Sequence, residues 1–291
     1  MELLRSLIFV PGNRVEMLEK ARQFGVDVLV ADLEDSVPDG EKENACRIVK
    51  ELAPTLSQRG QKLVVRVNSL DTGLPQAEIA ALAGPHLYGI SIGKATSVWD
   101  IKEFNKMASS AEKSAGLEVG HLKFIPWIEN ARAIMGALEL ATASPRIVAI
   151  AFGAEDYTDD MGVRRSDTGE EVYFAKATVA VAARAAGVMA LDGPFAGFRD
   201  PEGLRADAET ALTLGYKGKF AIHPAQLEQI NETFTPGSEE VGYARRVVQA
   251  WAEAEASGKG STSLDGKMID VPVVKRAKAL LVLADSTTQR G

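Results

Sequence analysis

The chain contains very few of the residues that build disulfides or zinc sites. Cys46 is its only cysteine, so no intrachain disulfide can form, and we expect a protein of a reducing compartment, the cytoplasm. The three histidines, His86, His121 and His223, are too scattered for a zinc-binding signature. The sequence therefore excludes a disulfide scaffold and argues against a zinc protein.

Long hydrophobic runs and an excess of basic charge are also lacking. Arg5 interrupts the apolar start of the chain, and no segment approaches the roughly 18 apolar residues that a membrane span needs. The chain has 33 basic and 40 acidic side chains, and its net charge of −7 argues against a nucleic-acid surface. We therefore expect a soluble cytoplasmic protein that binds neither membrane nor nucleic acid. The negative net charge still allows a local cationic pocket that binds an anionic ligand.

What the sequence does contain is a series of short apolar runs separated by segments with helical spacing. Most runs are almost continuously hydrophobic, which is typical of strands buried on both faces of a parallel sheet. They occupy residues 6–10, 27–33, 63–67, 87–92, 122–128, 147–152, 188–192 and 219–223. Eight strands alternating with helices predict an α/β fold, a (β/α)8 TIM barrel. A doubly wound sheet is the alternative, but no Gly-x-Gly-x-x-Gly motif follows the first run.

The chain continues well beyond the eighth predicted strand. We assign residues 1–235 to the barrel and residues 236–291 to a C-terminal helical extension that packs on the barrel or reaches a neighbouring subunit. The extension contains a long helical segment followed by GKGSTSLDGKMIDVP, which includes Asp265 and Asp270. Composition alone favours a flexible linker for this second segment.

Charged residues, most of them acidic, follow directly after several of the apolar runs. In a barrel the carboxyl ends of the strands meet at one mouth, where catalysis takes place. Carboxylates gathered in a low-dielectric pocket repel one another, and a divalent cation removes this penalty. Oxygen ligands predict Mg2+, or Mn2+ as an alternative, rather than zinc. The residues expected at the mouth are Asp32, Glu34, Asp35, Arg66, Asn68, Lys94, Glu129, Glu155, Asp156, Asp192 and His223.

The acids also have a simpler interpretation. Acidic residues after strands are often helix caps, or first-turn residues that interact favourably with the helix dipole. This interpretation applies to Glu129 and Asp156 taken singly, and above all to Asp159 and Asp160. The combination of several acids at one mouth is therefore stronger than any single member.

Arg66 is more informative, because it lies inside the apolar segment LVVRVNS. A cation embedded in a buried strand needs an anionic partner. Glu34 or Asp35 from the preceding strand, or the carboxylate of a substrate, could provide that partner.

Several motifs together resemble a known family. RSLIFVPGNRVEMLEKA, DVLVADLEDSVP, VVRVNS, IPWIENARAIMGALELA, RIVAIAFGAEDYTDDMG, KFAIHPAQLEQIN and LDGKMIDVPVVKRA occur in this order and span nearly the whole chain. They are similar to the citrate lyase β-subunit-like family, which includes malyl-CoA and citramalyl-CoA lyases within the HpcH/HpaI aldolase superfamily. The chain departs from the family pattern after strand 4, where IGKATS replaces PKVES and Thr96 stands at the acidic position.

The resemblance implies a TIM barrel that binds Mg2+ through Glu129 and Asp156. It implies that Asp270 acts as acid/base from a neighbouring subunit, within a homotrimer or hexamer. We expect Glu34 and Asp35 to assist catalysis by orienting Arg66 or water. The expected substrate-binding residues are Arg66, Arg5 near the CoA phosphates, Lys94, Ala154 and Glu155.

The implied activity is that of a Mg2+-dependent carbon–carbon lyase. Such an enzyme cleaves or forms a 3-hydroxyacyl-CoA thioester, such as citryl-CoA, malyl-CoA or citramalyl-CoA, with acetyl-CoA and a 2-oxo acid as the smaller partners. We hypothesise that Mg2+ and Arg66 stabilise the anionic oxygen while Asp270 exchanges a proton with the acetyl carbon. The alternatives are a class II pyruvate-dependent aldolase on free hydroxy-keto acids, a citrate lyase complex subunit acting on a carrier-bound thioester, and a non-catalytic binding module.

Overall fold

The computed structural model describes residues 2–58, 60–166 and 168–288. The chain divides into two compact units. One consists of Leu4–Asn231, and the other of the described residues of Met1–Leu3 and Glu232–Gly291.

Within the described residues, the larger unit contains eight parallel strands that close into a barrel. Each strand pairs with the next along the chain, and the eighth pairs with the first. The predicted TIM barrel is confirmed, and every predicted run overlaps a strand. The strands are β1 (Ser6–Pro11), β2 (Val28–Asp32), β3 (Lys62–Val67), β4 (Gly89–Ile92), β5 (Lys123–Ile128), β6 (Ala149–Phe152), β7 (Met189–Asp192) and β8 (Gly218–Ala221).

Helices follow the strands and form the outer layer. Local sequence fixes several of their starts: Ser97 and Asp100 form a capping box, and the Asp200 side chain accepts a hydrogen bond from the Gly203 N–H just after the helix begins. The helices of this part of the chain are α1 (Val15–Ala21), α2 (Lys42–Leu56), α3 (Pro75–Leu82), α4 (Val98–Ser114), α5 (Ala131–Met135), α6 (Ala137–Ala141), α7 (Ala154–Met161), α8 (Glu170–Ala186), α9 (Pro201–Leu214) and α10 (Leu227–Thr233).

The barrel interior is filled by alternate residues of successive strands. Its largest members are aromatic: the ring centroids of Phe9 and Phe220 lie 5.1 Å apart, and those of Trp127 and Phe220 lie 4.5 Å apart. The Trp127 indole N–H donates to the Ser91 hydroxyl over 2.7 Å, so its polar group is satisfied. These rings form a rigid floor below the mouth.

The smaller unit has its own apolar core, made by Ala244, Val247, Ile269, Val274 and Ala277. The segment that composition favours as a flexible linker is an ordered β-hairpin. Asp265 and Gly266 both have positive φ, 50° and 75°, as the tight turn of a two-residue hairpin requires. The elements are α11 (Ser238–Ala256), β9 (Thr262–Leu264), β10 (Lys267–Ile269) and α12 (Val271–Thr288).

Membrane insertion through a helix finds no support in the described part of the chain. No helix there combines the length and the apolar character that crossing a bilayer requires.

Gly218 provides a test of how the barrel closes. A Cβ at this position would overlap the carbonyl oxygen of Leu4 and lie 2.8 Å from that of Arg5, and backbone atoms cannot move without displacing β1. We expect Gly218→Ala to lower the free energy of unfolding by about 2 kcal/mol or more, measured by urea denaturation. Gly242→Ala, in open space within α11, is the control and should raise it by roughly 0.5–1 kcal/mol. Equal stability of both variants would contradict this account.

Candidate active site

The carboxyl ends of β2 to β6 bring charged side chains to the same mouth of the barrel. Asp32 ends β2, Arg66 lies near the end of β3, and Glu129 directly follows β5. The other members are Glu34 and Asp35 after β2, Lys94 after β4, and Asp156 in the first turn of α7.

Arg66 is the cation around which the acids are arranged. Its Nε and Nη2 donate to the two oxygens of Asp32 over 2.7 Å each, and its Nη1 donates to Asp35 over 2.9 Å. Glu34 Oε2 lies 3.4 Å from Nη1. Burial would lower the pKa of Arg66, but these carboxylates outweigh it and hold that pKa above its ordinary value. The expectation that this cation has an anionic partner is confirmed.

The sequence predicts Asp32 at the mouth but does not identify it as a partner of Arg66. Burial would raise the pKa of Asp32, but the hydrogen bonds and charge of Arg66 hold it below its usual value. The signal that could have identified it is strand register, because Asp32 and Arg66 are directly opposite each other on β2 and β3. That register is not visible in one sequence.

Glu34 is buried with an incomplete set of partners. Only 4% of the residue is exposed, and its Oε1 accepts no hydrogen bond. Lys94 Nζ lies 3.5 Å from that oxygen, an ionic contact without hydrogen-bond geometry. Burial is the main cause that raises the pKa of Glu34 to about 7. Gly93 leaves space for the Glu34 carboxyl group, since a Cβ at Gly93 would lie 2.8 Å from Oε2.

Glu129 lies at the end of β5 and is 6% exposed. Its Oε1 accepts the backbone N–H of Lys94 over 2.5 Å. Burial, followed by the neighbouring charge of Asp156, raises the pKa of Glu129 to about 8. A Cβ on Gly153 would lie 2.6 Å from Oε2, so glycine is needed beside this carboxyl group. Helix capping does not describe Glu129, because the side chain of Asn130 caps α5 instead.

Asp156 is exposed at the rim of the mouth, within the first turn of α7. Burial of its carboxyl group raises its pKa, and the charge of Asp35 adds to the shift. No three Asp, Glu, His or Cys side chains form a ready-made metal cluster among residues 2–58, 60–166 and 168–288. Mg2+ does not need one, since it is commonly held by one or two carboxylates, with water and substrate completing the shell. The chemistry of the donors and the unsatisfied Glu34 oxygen therefore fit a hard divalent cation.

Lys94 connects the two buried glutamates. Its φ of 55° places a non-glycine residue in the left-handed region, a conformation that costs free energy and concentrates at functional sites. This geometry turns its N–H toward Glu129, while its Nζ donates to Asp35 over 2.9 Å. Burial would lower the pKa of Lys94, but Asp35 and Glu34 raise it above its ordinary value. Lys94 is therefore charged and belongs to the mouth, where we expected it.

The remaining acids of α7 face elsewhere. Glu155 is exposed and forms an ion pair of 3.0 Å with Arg165. Ala154, the first residue of α7, offers its carbonyl oxygen to the Thr158 hydroxyl. Asp160 lies in the last turn of α7 rather than at its start, and it accepts the N–H of Ala131, the first residue of α5, over 2.7 Å. The substrate-binding roles of residues 154 and 155 stay predictions without a contact that supports them.

The structure does not bring Arg5 to the mouth. Arg5 precedes β1, at the opposite end of the barrel from the carboxyl ends of the strands. Its Nε and Nη2 each donate to Asp27 over 2.9 Å. A motif at the start of a strand lies on the amino side of the sheet, which corrects the placement of Arg5 near a ligand at the mouth.

Two other strand-end residues have structural partners. Asp192 accepts from Lys219 Nζ over 2.5 Å and lies 3.1 Å from Lys176 Nζ, so its charge is already compensated. His223 caps the short helical turn after β8 by accepting the N–H of Ala225. Thr96, at the position where the chain departs from the family pattern, binds Asp100 at the start of α4.

Asp270 belongs to the C-terminal unit. Its side chain accepts the N–H of Val273 over 3.2 Å and its carbonyl oxygen accepts the N–H of Val274, so it caps the start of α12. Ile269 before it is buried, whereas Val271 after it and Met268 are exposed.

Comparisons with known proteins place this site in a family context. The model of the HpcH/HpaI aldolase/citrate lyase family matches residues 5–224. The citrate lyase subunit beta of Leuconostoc mesenteroides subsp. cremoris is 37% identical over 284 residues, which cover 98% of this chain and 94% of the relative. The L-malyl-CoA/beta-methylmalyl-CoA lyase of Cereibacter sphaeroides is 34% identical over 301 residues, which cover 97% and 94%.

Solved structures give the same result. The protein CitE of Mycobacterium tuberculosis, in complex with magnesium, acetoacetate and coenzyme A, is similar with a TM-score of 0.77 at 28% identity. The similarity covers 96% of this chain and 97% of that one. Fold and sequence agree over nearly the full length, and the chain belongs to the HpcH/HpaI aldolase/citrate lyase family.

Proposed function

We propose that the protein is a Mg2+-dependent carbon–carbon lyase acting on a 3-hydroxyacyl-CoA thioester. Its products would be acetyl-CoA and a 2-oxo acid, with citryl-CoA, malyl-CoA and citramalyl-CoA as the candidate substrates. The observation that carries the proposal is the excess of buried carboxyl oxygen beside Arg66 at the mouth. The names of the citrate lyase and malyl-CoA lyase relatives support the same reaction class.

Glu129 and Asp156 are the residues that would hold the cation, Mg2+ or alternatively Mn2+. Both have a raised pKa, which is the mark of carboxyl groups that lack a compensating positive charge. When bound, Mg2+ would supply positive charge beside the oxygens of the oxo-acid fragment. The N–H of Lys94 already holds one oxygen of Glu129 and so orients the carboxyl group.

Arg66 would stabilise the negative charge that develops on the substrate oxygen. Asp32 holds its Nε and Nη2, which fixes the plane of the guanidinium, and the Phe9 ring lies 4.7 Å from its central carbon. A cation held rigidly in advance of the reaction stabilises charge without reorganisation. Arg66 is only 16% exposed, so little water competes for it.

Glu34 would act as the general base and Asp270 as the general acid of the cleavage. In the cleavage direction the hydroxyl proton passes to Glu34, whose pKa of about 7 suits a general base, and the O–H electron pair forms the new carbonyl. The carbon–carbon bond breaks, its electrons pass to the thioester α-carbon, and Asp270 donates the proton that completes acetyl-CoA. The reverse sequence describes condensation.

We further propose that Asp270 reaches the mouth of a neighbouring subunit in a homotrimer or hexamer. Met268, two residues before Asp270, and Val271, directly after it, are exposed, and apolar groups beside a polar one are typical of contact surfaces, which supports this. The capping of α12 by Asp270 gives the segment a defined shape.

A second candidate function keeps the chemistry but changes the carrier. The relative from Leuconostoc is named as a subunit of citrate lyase, which favours a role within a complex that presents a carrier-bound thioester. A class II aldolase that cleaves free hydroxy-keto acids shares the barrel and the cation, but leaves the C-terminal unit without a task.

The substrate class is tested with the purified chain. We expect Mg2+-dependent release of acetyl-CoA from at least one of citryl-CoA, malyl-CoA and citramalyl-CoA, with no release after EDTA treatment and recovery on addition of Mg2+. Activity on free hydroxy-keto acids alone would favour the aldolase. Activity only with a carrier-bound thioester would favour the complex subunit.

The metal site is tested by calorimetry with Mg2+ alone. We expect Glu129→Gln and Asp156→Asn each to weaken Mg2+ binding by about 100-fold or more, because loss of a ligand's outer partner alone costs roughly 10–100-fold. Asp159→Asn, an exposed acid of the same helix, is the control and should bind Mg2+ as the parent protein does. Normal binding in both ligand variants would refute the site.

The same measurement has a pH signature. Glu129 is largely protonated at pH 7, so Mg2+ binding should release a proton there, and the affinity should rise with pH up to about 8. Without metal, the stability of the fold depends on pH in the opposite direction. A carboxyl group whose pKa is raised by folding contributes stability below its ordinary pKa of 4.5, and this contribution is lost as pH rises through about 8. Glu129→Gln should flatten both pH dependences.

Sharing of Asp270 between subunits is tested by mixing two inactive variants. We expect Asp270→Asn, which preserves the helix cap, and Glu129→Gln to lose activity singly. Coexpressed in equal amounts, they should recover about a quarter of the parent activity, since half of the barrels are intact and half of their neighbours supply Asp270. A mixture as inactive as its components would show that each site takes both residues from one chain.

A further inference from the structure

The main chain that carries Glu34 is hydrogen-bonded at each N–H and each carbonyl of residues 33 and 34. The N–H of Leu33 donates to the Arg66 carbonyl oxygen over 2.9 Å, and the N–H of Glu34 donates to Asp32 Oδ1 over 2.9 Å. The two carbonyl oxygens share one donor, the ammonium group of Lys42. Its Nζ lies 3.1 Å from the Leu33 oxygen and 3.0 Å from the Glu34 oxygen. The main chain at Glu34 is therefore held on both sides.

Lys42 stands where a helix does not favour a cation. It is the first residue of α2, and the positive end of a helix dipole lies at the helix start, where acids such as Glu43 are favoured. The helix is anchored by its buried side chains, Ala45, Ile48 and Val49, so the base of the Lys42 side chain has a fixed place. Residues that break a local rule of this kind are often functional. The two carbonyl contacts of Lys42 indicate what that function is.

Asn68 is a second anchor for the same segment. It directly follows β3, is 1% exposed, and its Nδ2 donates to the Leu33 carbonyl oxygen over 2.9 Å. Both its N–H and its Nδ2 donate to the carboxyl group of Glu78, the former over 3.0 Å, so the amide is fixed in turn. Burial raises the pKa of Glu78, while the hydrogen bonds from Asn68 and the charge of Lys42 oppose that rise. Lys42 therefore lies close enough to Glu78 for its charge to act on this pair.

The side chain of Glu34 differs from its main chain. Its Oε1 accepts no hydrogen bond from the residues that the structure describes, and its contacts with Arg66 and Lys94, at 3.4 Å and 3.5 Å, are ionic. A fixed main chain below an unsatisfied carboxyl group is the arrangement expected of a group that is held ready to react. Misplacement of such a group by about 1 Å can lower a rate by roughly 100-fold.

We infer that Lys42 is a positioning residue, which holds the carbonyl oxygens of Leu33 and Glu34 and so keeps the Glu34 carboxyl group in place for proton transfer. This inference rests on the proposed function, because it takes Glu34 as the general base. Lys42 acts through the main chain and touches neither the substrate nor the cation. Its replacement should therefore change turnover and leave the binding of both nearly as it was.

Kinetics and calorimetry of Lys42→Met test this separation. The variant keeps an unbranched side chain of similar length but lacks the ammonium group. We expect kcat for the CoA thioester that the parent cleaves to fall about 100-fold, with KM and the affinity for Mg2+ alone within about twofold of the parent. Lys42→Arg retains N–H donors and should recover most of the lost activity. Lys50→Met, an exposed lysine of the same helix, is the control and should have the parent kcat. Weaker Mg2+ binding in step with the fall in kcat would show a general structural role and overturn the inference.

A double-mutant cycle tests whether the effect of Lys42 passes through Glu34. Glu34→Gln removes the general base and should itself lower kcat. In that background Lys42→Met should lower kcat by no more than about twofold further, because residues that act as a unit are not additive. A second fall of about 100-fold would show that Lys42 acts independently of Glu34, which would also overturn the inference.

Crystals of Lys42→Met and of the parent, grown in the same form, separate this inference from the proposed reaction. We expect the Glu34 carboxyl group to move by about 1 Å in the variant, while the Arg66–Asp32 pair stays in place. An unmoved carboxyl group would refute the positioning role even in an active lyase. A parent inactive on every CoA thioester would refute the proposed function, and the displacement would still decide whether Lys42 positions Glu34.

Discussion

The buried negative charge at the barrel mouth is the constraint on which the rest of the site depends. Among the described residues, Arg66 and Lys94 are the cations that contact the side chains of these acids, and Arg66 is largely occupied by Asp32. Burial in such surroundings disfavours the charged form of a carboxyl group, which is why the pKa values of Glu34 and Glu129 rise to about 7 and 8. Their folded environment therefore costs stability at neutral pH, and a bound cation would offset that cost.

The barrel tolerates this cost because its scaffold is stiff and because glycine stands where the backbone comes close to the buried carboxyl groups. The stacked rings below the mouth give Arg66 an aromatic surface to lie on, through Phe9. Gly93 and Gly153 lie where a methyl group would touch Glu34 and Glu129. The absence of a side chain at these two positions therefore leaves the space that each carboxyl group occupies.

The sequence predicted the strands well because each buried run is apolar and is followed by a helical segment, a pattern that needs no knowledge of distant residues. It also predicted that Arg66 has an anionic partner, since burial alone demands one. It could not identify Asp32 as that partner, because their pairing depends on the register of two strands. Arg5 was misplaced for a related reason: a motif shows that residues are grouped but not which end of the sheet they occupy. The Asp265–Gly266 turn was hidden by a linker-like composition.

The proposed sharing of Asp270 between copies would make activity depend on assembly. If Asp270 comes from another subunit, a dissociated chain has a complete cation site but no acid/base group, so turnover depends on assembly. Each chain carries a net charge of −7, which opposes association. Assembly would therefore have to gain its free energy from apolar contact, and the exposed Met268 and Val271 near Asp270 are groups that could provide it.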